Sequence, residues 1–335
     1  MIVIRSIQAH DLASYIDIAF QSHINFYSLP KDEKLLTHQL EKALISFSEK
    51  VTKPDRELYI FVAEDSETKK LLGVSALAAT TGGNEPLFFY RRELLIQNSP
   101  LEPVVKRLEV LNPVSYLHGP SEVCSLFVEK LSRGTGVGKL LSLSRFLFAA
   151  KFPERFTESF ISELRGKIVN GTSPFWEGVG RRFFDLPFEE VQKMMAYGRS
   201  FINHFLPAHP LYVALLPEAA RDVIGKVDSD TEAALSLLSR LGFEVSSEVD
   251  VLDAGPKLVA KKEFIRPIAA SKEVTITKIQ TPSKECPELI ISNENLEFRA
   301  VFGQFEEGKL AADVASELQV QVGDTIRIYD PKAMP

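Results

Sequence analysis

Gly134, Gly136 and Gly138 stand between an apolar stretch that reads as a strand and another that reads as a helix. On the strand side, Val123, Cys124, Leu126, Phe127 and Val128 put apolar groups on both faces, as expected of a strand buried on both sides. On the helix side, Leu140, Leu141, Leu143, Phe146, Leu147 and Phe148 leave a narrow polar stripe of Lys139, Ser142 and Arg145. That helix is expected to lie largely buried on a sheet. The glycines let the backbone turn sharply and come close to a ligand, while the unpaired N–H groups and positive end of the helix point at the same spot. This is the design of an anion site, and phosphate is the anion it suits.

Spacing separates the known phosphate loops. A Walker loop needs four residues before its Gly-Lys pair and then Ser or Thr; here Gly134 and Gly138 are too close and Leu140 follows Lys139. A dinucleotide fingerprint needs its third glycine one residue later. The pattern Arg-x-x-Gly-x-Gly, with Arg133, Gly136 and Gly138, resembles the pyrophosphate loop of the GNAT acyl-CoA N-acyltransferases. The resemblance implies CoA contacts from Arg133, Gly134, Gly136 and Gly138. It also implies a pantetheine arm beside the preceding strand, at Leu126 and Val128. A glycine-rich turn without a ligand is the alternative.

Composition narrows the class further. A chain of 335 residues that is 45% hydrophobic can bury a sizeable core. Its formal charge of −6 argues against a nucleic-acid or anionic-membrane surface. The start MIVIRSIQAHDL lacks the charged and apolar regions of a leader, and no window approaches a membrane span, so the expected compartment is the cytoplasm. Cys124 and Cys286, the two cysteines, make no disulfide framework, and six scattered histidines suggest no metal site.

In chain order, residues 2–7 alternate as a strand, Asp11 can cap a helix to residue 19, and Asp32 opens another to residue 47. Residues 59–65 and 71–79 read as a hairpin around SETKK. Residues 80–120, with Gly82-Gly83, Phe88-Phe89-Tyr90 and Arg91-Arg92, read as an insertion containing one strand-like run, LLIQN. It would cover a substrate or a partner, or pack structurally. Residues 159–164 suggest a fifth strand. Ser173 and Pro174 open a helix with an aromatic face of Phe175, Trp176, Phe183 and Phe184, beside Arg181 and Arg182. Helices are expected over 189–205, 219–224 and 235–241, then strands over 244–252 and 257–261. The tail reads as short strands over 274–279, 288–292, 297–302 and 325–328 with one helix at 311–318.

Several runs in order, IRSIQAHDL, SEVCSLFVEK, LSRFLFAAKF, SPFWEGVGRRFF, HPLYVALLPEAARDVIGKV and DAGP, resemble the arginine N-succinyltransferase family from residue 2 to about 330. The resemblance implies an α+β chain: a GNAT-like mixed sheet flanked by helices over 1–265, and a small β-rich C-terminal subdomain over 266–335. It implies succinyl transfer from succinyl-CoA to the α-amine of L-arginine or ornithine, small-molecule substrates, no metal and a homo-oligomer, a dimer in the family.

The chemistry needs a held acyl-CoA, a deprotonated amine and a proton for the thiolate. Leu126 is the expected backbone donor to the thioester carbonyl. Glu122, within an apolar strand, is a candidate base or else half of an ion pair. After Gly225-Lys226-Val227 the family carries a histidine regarded as its proton donor, whereas this chain has Asp228, which is ordinarily ionised at neutral pH. His209 is the substitute candidate, and Asp250 and Asp253 could face a guanidinium or form a turn. A second reading keeps CoA binding without turnover.

Overall fold

The structure, a computed structural model, describes residues 1–22, 28–98, 105–283 and 285–332. Two compact units share these residues. The first comprises Met1–Thr80, Pro120–Phe160 and Lys261–Pro335; the second comprises Thr81–Gly119 and Ile161–Ala260.

The chain opens with β1 (Ile2–Ser6), α1 (Leu12–Gln21), α2 (Glu33–Ser46), β2 (Leu58–Asp65) and β3 (Leu71–Ala78). Asp32 caps α2 by accepting from the Leu35 N–H at 2.9 Å, as its sequence position suggests. Asp11 does not cap α1 in this way. Its carboxylate instead takes the buried Arg5 guanidinium, at 2.7 and 2.8 Å. Residues 80–120 are not an irregular insertion with a single strand. Their described part forms two long strands, β4 (Gly82–Asn98) and β5 (Val105–His118), paired antiparallel; residues 99–104 lie outside the described residues.

Next come β6 (Ser121–Val128), α3 (Val137–Lys151) and β7 (Ser159–Glu163). The aromatic run forms a π-helical turn at Trp176–Gly180, continued by α4 (Arg181–Phe184). Phe175 and Trp176 are fully buried, whereas Phe183 faces outward, so the aromatic face is narrower than its spacing suggests. Then follow α5 (Phe188–Met195), α6 (Ile202–Phe205), β8 (Leu211–Tyr212), α7 (Glu218–Arg221), α8 (Glu232–Arg240), β9 (Glu244–Asp250) and β10 (Pro256–Lys261). The remainder is α9 (Arg266–Ala270), β11 (Lys272–Thr275), β12 (Lys278–Ile279), β13 (Leu289–Asn293), β14 (Arg299–Gly303), β15 (Phe305–Glu306), β16 (Lys309–Leu310), α10 (Ala312–Leu318) and β17 (Thr325–Tyr329).

In the first unit the strand order is β11-β17-β13-β14-β1-β2-β3-β6, so the tail strands extend the sheet through the antiparallel β14–β1 pair. A separate small sheet, β12-β16-β15, contains a parallel pair. The two-residue period of β2 divides its side chains between layers. Ile60 and Val62 pack with Tyr15, Ile18, Leu36 and Leu40 of α1 and α2. Tyr59 and Phe61 meet Phe148 of α3 at ring-centroid distances of 5.1 and 5.4 Å. Sheet and helices therefore form the expected α+β arrangement.

α3 is buried almost all round, as its apolar content requires. The polar stripe is the surprise: Ser142 and Arg145 are 1% and 2% exposed, so this part of the stripe faces the interior. In the second unit the order is β7-β10-β9-β4-β5-β8, and Leu87, Phe89 and Ile161 centre a core cluster with Val114, Tyr116 and Val259 around them.

Candidate functional site

The glycine loop follows β6 through a short 3-10 turn, Lys130–Ser132. Gly134 and Gly136 have φ of 81° and 92°, in the left-handed region where a Cβ is strained. Gly136 is the N-cap of α3 and its carbonyl accepts the first helical bond, from the Leu140 N–H at 2.9 Å. The N–H groups of Val137, Gly138 and Lys139 precede that bond and have no acceptor inside the helix. No acidic residue sits in this first turn to compete for an anion. Gly138 differs from its neighbours in lying outside the left-handed region, and a Cβ there would meet Val128 Cγ2 at an ordinary 3.5 Å.

Arg133 is exposed at the mouth of the loop. Its Nε donates to the Val128 carbonyl at 3.1 Å and its guanidinium lies 5.7 Å from the Phe127 ring centroid. The loop thus combines open left-handed backbone, free helix-start donors and a cation, the features that hold a pyrophosphate.

β6 itself is buried on one face only. Ser121, Val123, Ser125 and Phe127 are buried, while Glu122, Cys124, Leu126 and Val128 are half-buried, so the expectation of a strand covered on both sides is corrected. β3 pairs with β6 antiparallel, but the register shifts between Val74↔Phe127 and Ala76↔Cys124. Ser125 and Leu126 therefore oppose the single residue Ser75, which is a β-bulge. Ser125 has φ of 55° there, a conformation that costs a non-glycine residue free energy. Leu126, the expected thioester donor, sits on the bulge, and Glu122 lies in the third pair before it, opposite Ala78.

Asp228 and His209 belong to the second unit. Asp228 caps the 3-10 turn Ser229–Thr231 and is buried. Its carboxylate accepts from the Ile168 N–H at 3.0 Å and the Asp230 N–H at 3.2 Å. Burial pushes its pKa up, but those two N–H donors together with Arg165 and Lys167 outweigh it and leave the carboxyl below the usual range. Asp228 is an ionised acceptor. His209 is exposed before β8, and no hydrogen bond joins it to Asp228.

Asp250 and Asp253 build the turn after β9. Asp250 Oδ1 accepts from the Leu252 and Asp253 N–H groups at 2.7 and 3.0 Å, and Asp253 Oδ1 accepts from the Gly255 N–H at 2.8 Å. Burial raises both carboxyls, and the Asp250–Asp253 repulsion and Glu163 add to the effect at Asp250. Burial dominates at Asp253 as well, against N–H donors from Gly255 and Gly166.

Sequence reasoning missed the polar group beside them. Glu248 accepts from Lys257 Nζ, from Tyr116 Oη and from Arg91, whose Nη2 lies at 3.0 Å. Burial disfavours its charge, yet Lys257, Tyr116 and Arg91 hold the carboxyl below its usual range. Lys257 also lies over the Phe89 and Tyr116 rings, 4.5 and 4.8 Å from their centroids. The signal was the β4–β5 hairpin: without those strands, Arg91 and Tyr116 have no register that brings them to Glu248.

Comparison with known proteins gives one consistent answer. The family model "Arginine N-succinyltransferase beta subunit" matches residues 2–267, and that of its C-terminal domain matches 272–329. The chain is 35% identical to arginine N-succinyltransferase of Enterobacter sp. (strain 638), over 98% of this chain and 97% of the relative. It is 34% identical to that of Citrobacter koseri with the same coverage. Arginine/ornithine succinyltransferase subunit AI from Pseudomonas aeruginosa superposes with a TM-score of 0.89 at 33% identity, covering 98% of both chains.

Proposed function

The chain belongs to the arginine N-succinyltransferase family, and on that premise we propose that it transfers succinyl from succinyl-CoA to the α-amine of L-arginine, with ornithine as a second acceptor, in arginine breakdown. The observation that carries the reading is the sequence of bulged β6, left-handed Gly134 and Gly136, and bare first turn of α3 within a full-length family match.

In this reading Arg133, Gly134, Gly136 and Gly138 hold the CoA pyrophosphate, and the half-buried face of β6 at Leu126 and Val128 lies along the pantetheine arm. The Leu126 N–H donates to the thioester carbonyl and stabilises the negative charge that grows there as the amine attacks. The C–N bond forms, the C–S bond breaks, and the ammonium proton passes to a base, for which Glu122 on β6 is the candidate. In this reading Asp228, ionised and committed to backbone N–H donors, does not serve as the proton donor, and His209 is the alternative. A thiol has a pKa of about 8.5, so a thiolate can leave without a dedicated acid and take its proton from water. The enzyme acts in the cytoplasm, as a homo-oligomer and by family expectation a dimer.

The commitment of Asp228 to backbone donors favours one second reading, a CoA-binding subunit without turnover. Arginine-dependent release of thiol from succinyl-CoA tests the first. CoA binding without such release would support the second.

A further inference from the structure

We propose that Arg145 is a positioning residue for acyl transfer: from α3 it holds the β6 bulge in shape, and it governs turnover without contributing to acyl-CoA affinity. The inference rests on the reading above only in taking the bulge as the place where the thioester carbonyl docks.

Arg145 is a charged side chain sealed inside the first unit, with 2% of its surface exposed. Its Nη1 donates to the Cys124 carbonyl at 3.1 Å and to the Ala76 carbonyl at 3.2 Å. Nη2 donates to Ser142 Oγ at 3.2 Å and Nε to the Ser142 carbonyl at 3.3 Å. None of these acceptors is a carboxylate. Ala76 and Cys124 are also the last regular pair of the β3–β6 ladder before the register shifts. One guanidinium therefore clamps a backbone carbonyl on each strand at the edge of the bulge. Within the bulge, Ser125 is tied to Ser28 by a further pair of hydrogen bonds.

Stability does not account for this residue. Among the described residues no carboxylate pairs with Arg145; a buried cation so placed is costly, and the burial pulls its pKa down to about 10, which still leaves it charged at neutral pH. An apolar residue of similar size would escape the cost of the buried charge but leave the Ala76 and Cys124 carbonyls without this donor, so the two effects offset each other. What an apolar residue cannot do is fix two carbonyls at a ladder interruption. The glycine loop lies a full helical turn or more away along α3, so the clamp acts on the reacting end of the ligand and leaves the phosphate end alone.

The test compares Arg145→Met and Arg145→Lys with wild type as full chains. The Met variant is expected to keep a melting temperature within a few degrees of wild type, and a KM for succinyl-CoA and a CoA-induced thermal shift within about twofold. Its kcat should fall about 10- to 100-fold, the effect of a displacement near 1 Å at a reacting centre. Lys should restore part of that loss. Amide hydrogen exchange in residues 121–128 should rise in the Met variant while the rest of the sheet is unchanged. An unaltered kcat, or a parallel collapse of kcat, CoA binding and melting temperature in both variants, would overturn the proposal. If wild type itself releases no thiol, the reaction reading has failed, and the exchange of residues 121–128 alone decides: no change in Arg145→Met overturns the clamp.

Discussion

Ser125 and Ser28 hold each other twice: the Ser125 N–H donates to Ser28 Oγ at 3.1 Å, and Ser125 Oγ donates to the Ser28 carbonyl at 2.8 Å. The pair secures a residue whose φ of 55° is otherwise unfavourable. Ser125→Ala loses the hydroxyl bond and keeps the strain, whereas Ser125→Gly loses the same bond but removes the strain. The expected order of thermal stability is wild type, then Gly, then Ala, with Ala costing about 1–3 kcal/mol. Denaturant unfolding checks the order; an Ala variant more stable than Gly would show that the backbone strain is absent.

Gly136 and Gly138 should respond differently to a methyl group. Gly136→Ala places a Cβ at φ of 92° and is expected to cost about 1–2 kcal/mol and to weaken the CoA-induced thermal shift. Gly138→Ala meets only ordinary contact with Val128 and should leave stability within about 0.5 kcal/mol of wild type. Thermal scans with and without CoA distinguish them, and equal responses would count against the loop geometry.

Asp228→Asn keeps an acceptor at a capping position, where Asn serves as well as Asp. Its activity is expected to stay within about threefold of wild type, since no proton is donated from this carboxylate, while Asp228→Ala should lose about 1 kcal/mol of stability. The lowered pKa of Asp228 gives stability that is complete above the ordinary Asp value and disappears as pH falls through the folded one. An Asn variant without activity, yet fully folded, would show that the charge itself takes part in the reaction.

Asp250 has the opposite sign. Burial, Asp253 and Glu163 make its carboxyl harder to ionise in the folded chain than in the unfolded one. The folded state therefore binds more protons, and ionisation weakens it as pH rises above the ordinary value of about 4. Asp250→Asn removes that cost and retains an acceptor for Leu252 and Asp253. The melting temperature of the variant minus that of wild type is expected to grow between pH 5 and pH 8; a flat or falling difference would contradict the assignment.

The strand, glycine loop and α3 were legible in the sequence because each has a local signature: apolar run, left-handed glycines and a buried-helix repeat. The β4–β5 hairpin was not. Pro86 lies in β4 and Pro113 in β5, two glycines open the first strand, and the outer residues Leu94, Ile96 and Val105 are exposed, so the two-residue burial period breaks down. The role of Arg145 was not legible for a different reason. A charged residue in a helical stripe with Lys139 and Ser142 suggests solvent, and only the carbonyls of β3 and β6 beneath it explain an interior guanidinium. The Glu248 group needed both: the hairpin register of Arg91 and the turn that returns Lys257 beside β9.

The central claim is best tested by following free thiol released from succinyl-CoA, with acetyl-CoA in parallel and with L-arginine, L-ornithine or no amine present. The account predicts release that depends on arginine and is faster with succinyl-CoA than with acetyl-CoA. Equal rates with and without amine, or no release although CoA raises the melting temperature, would contradict it.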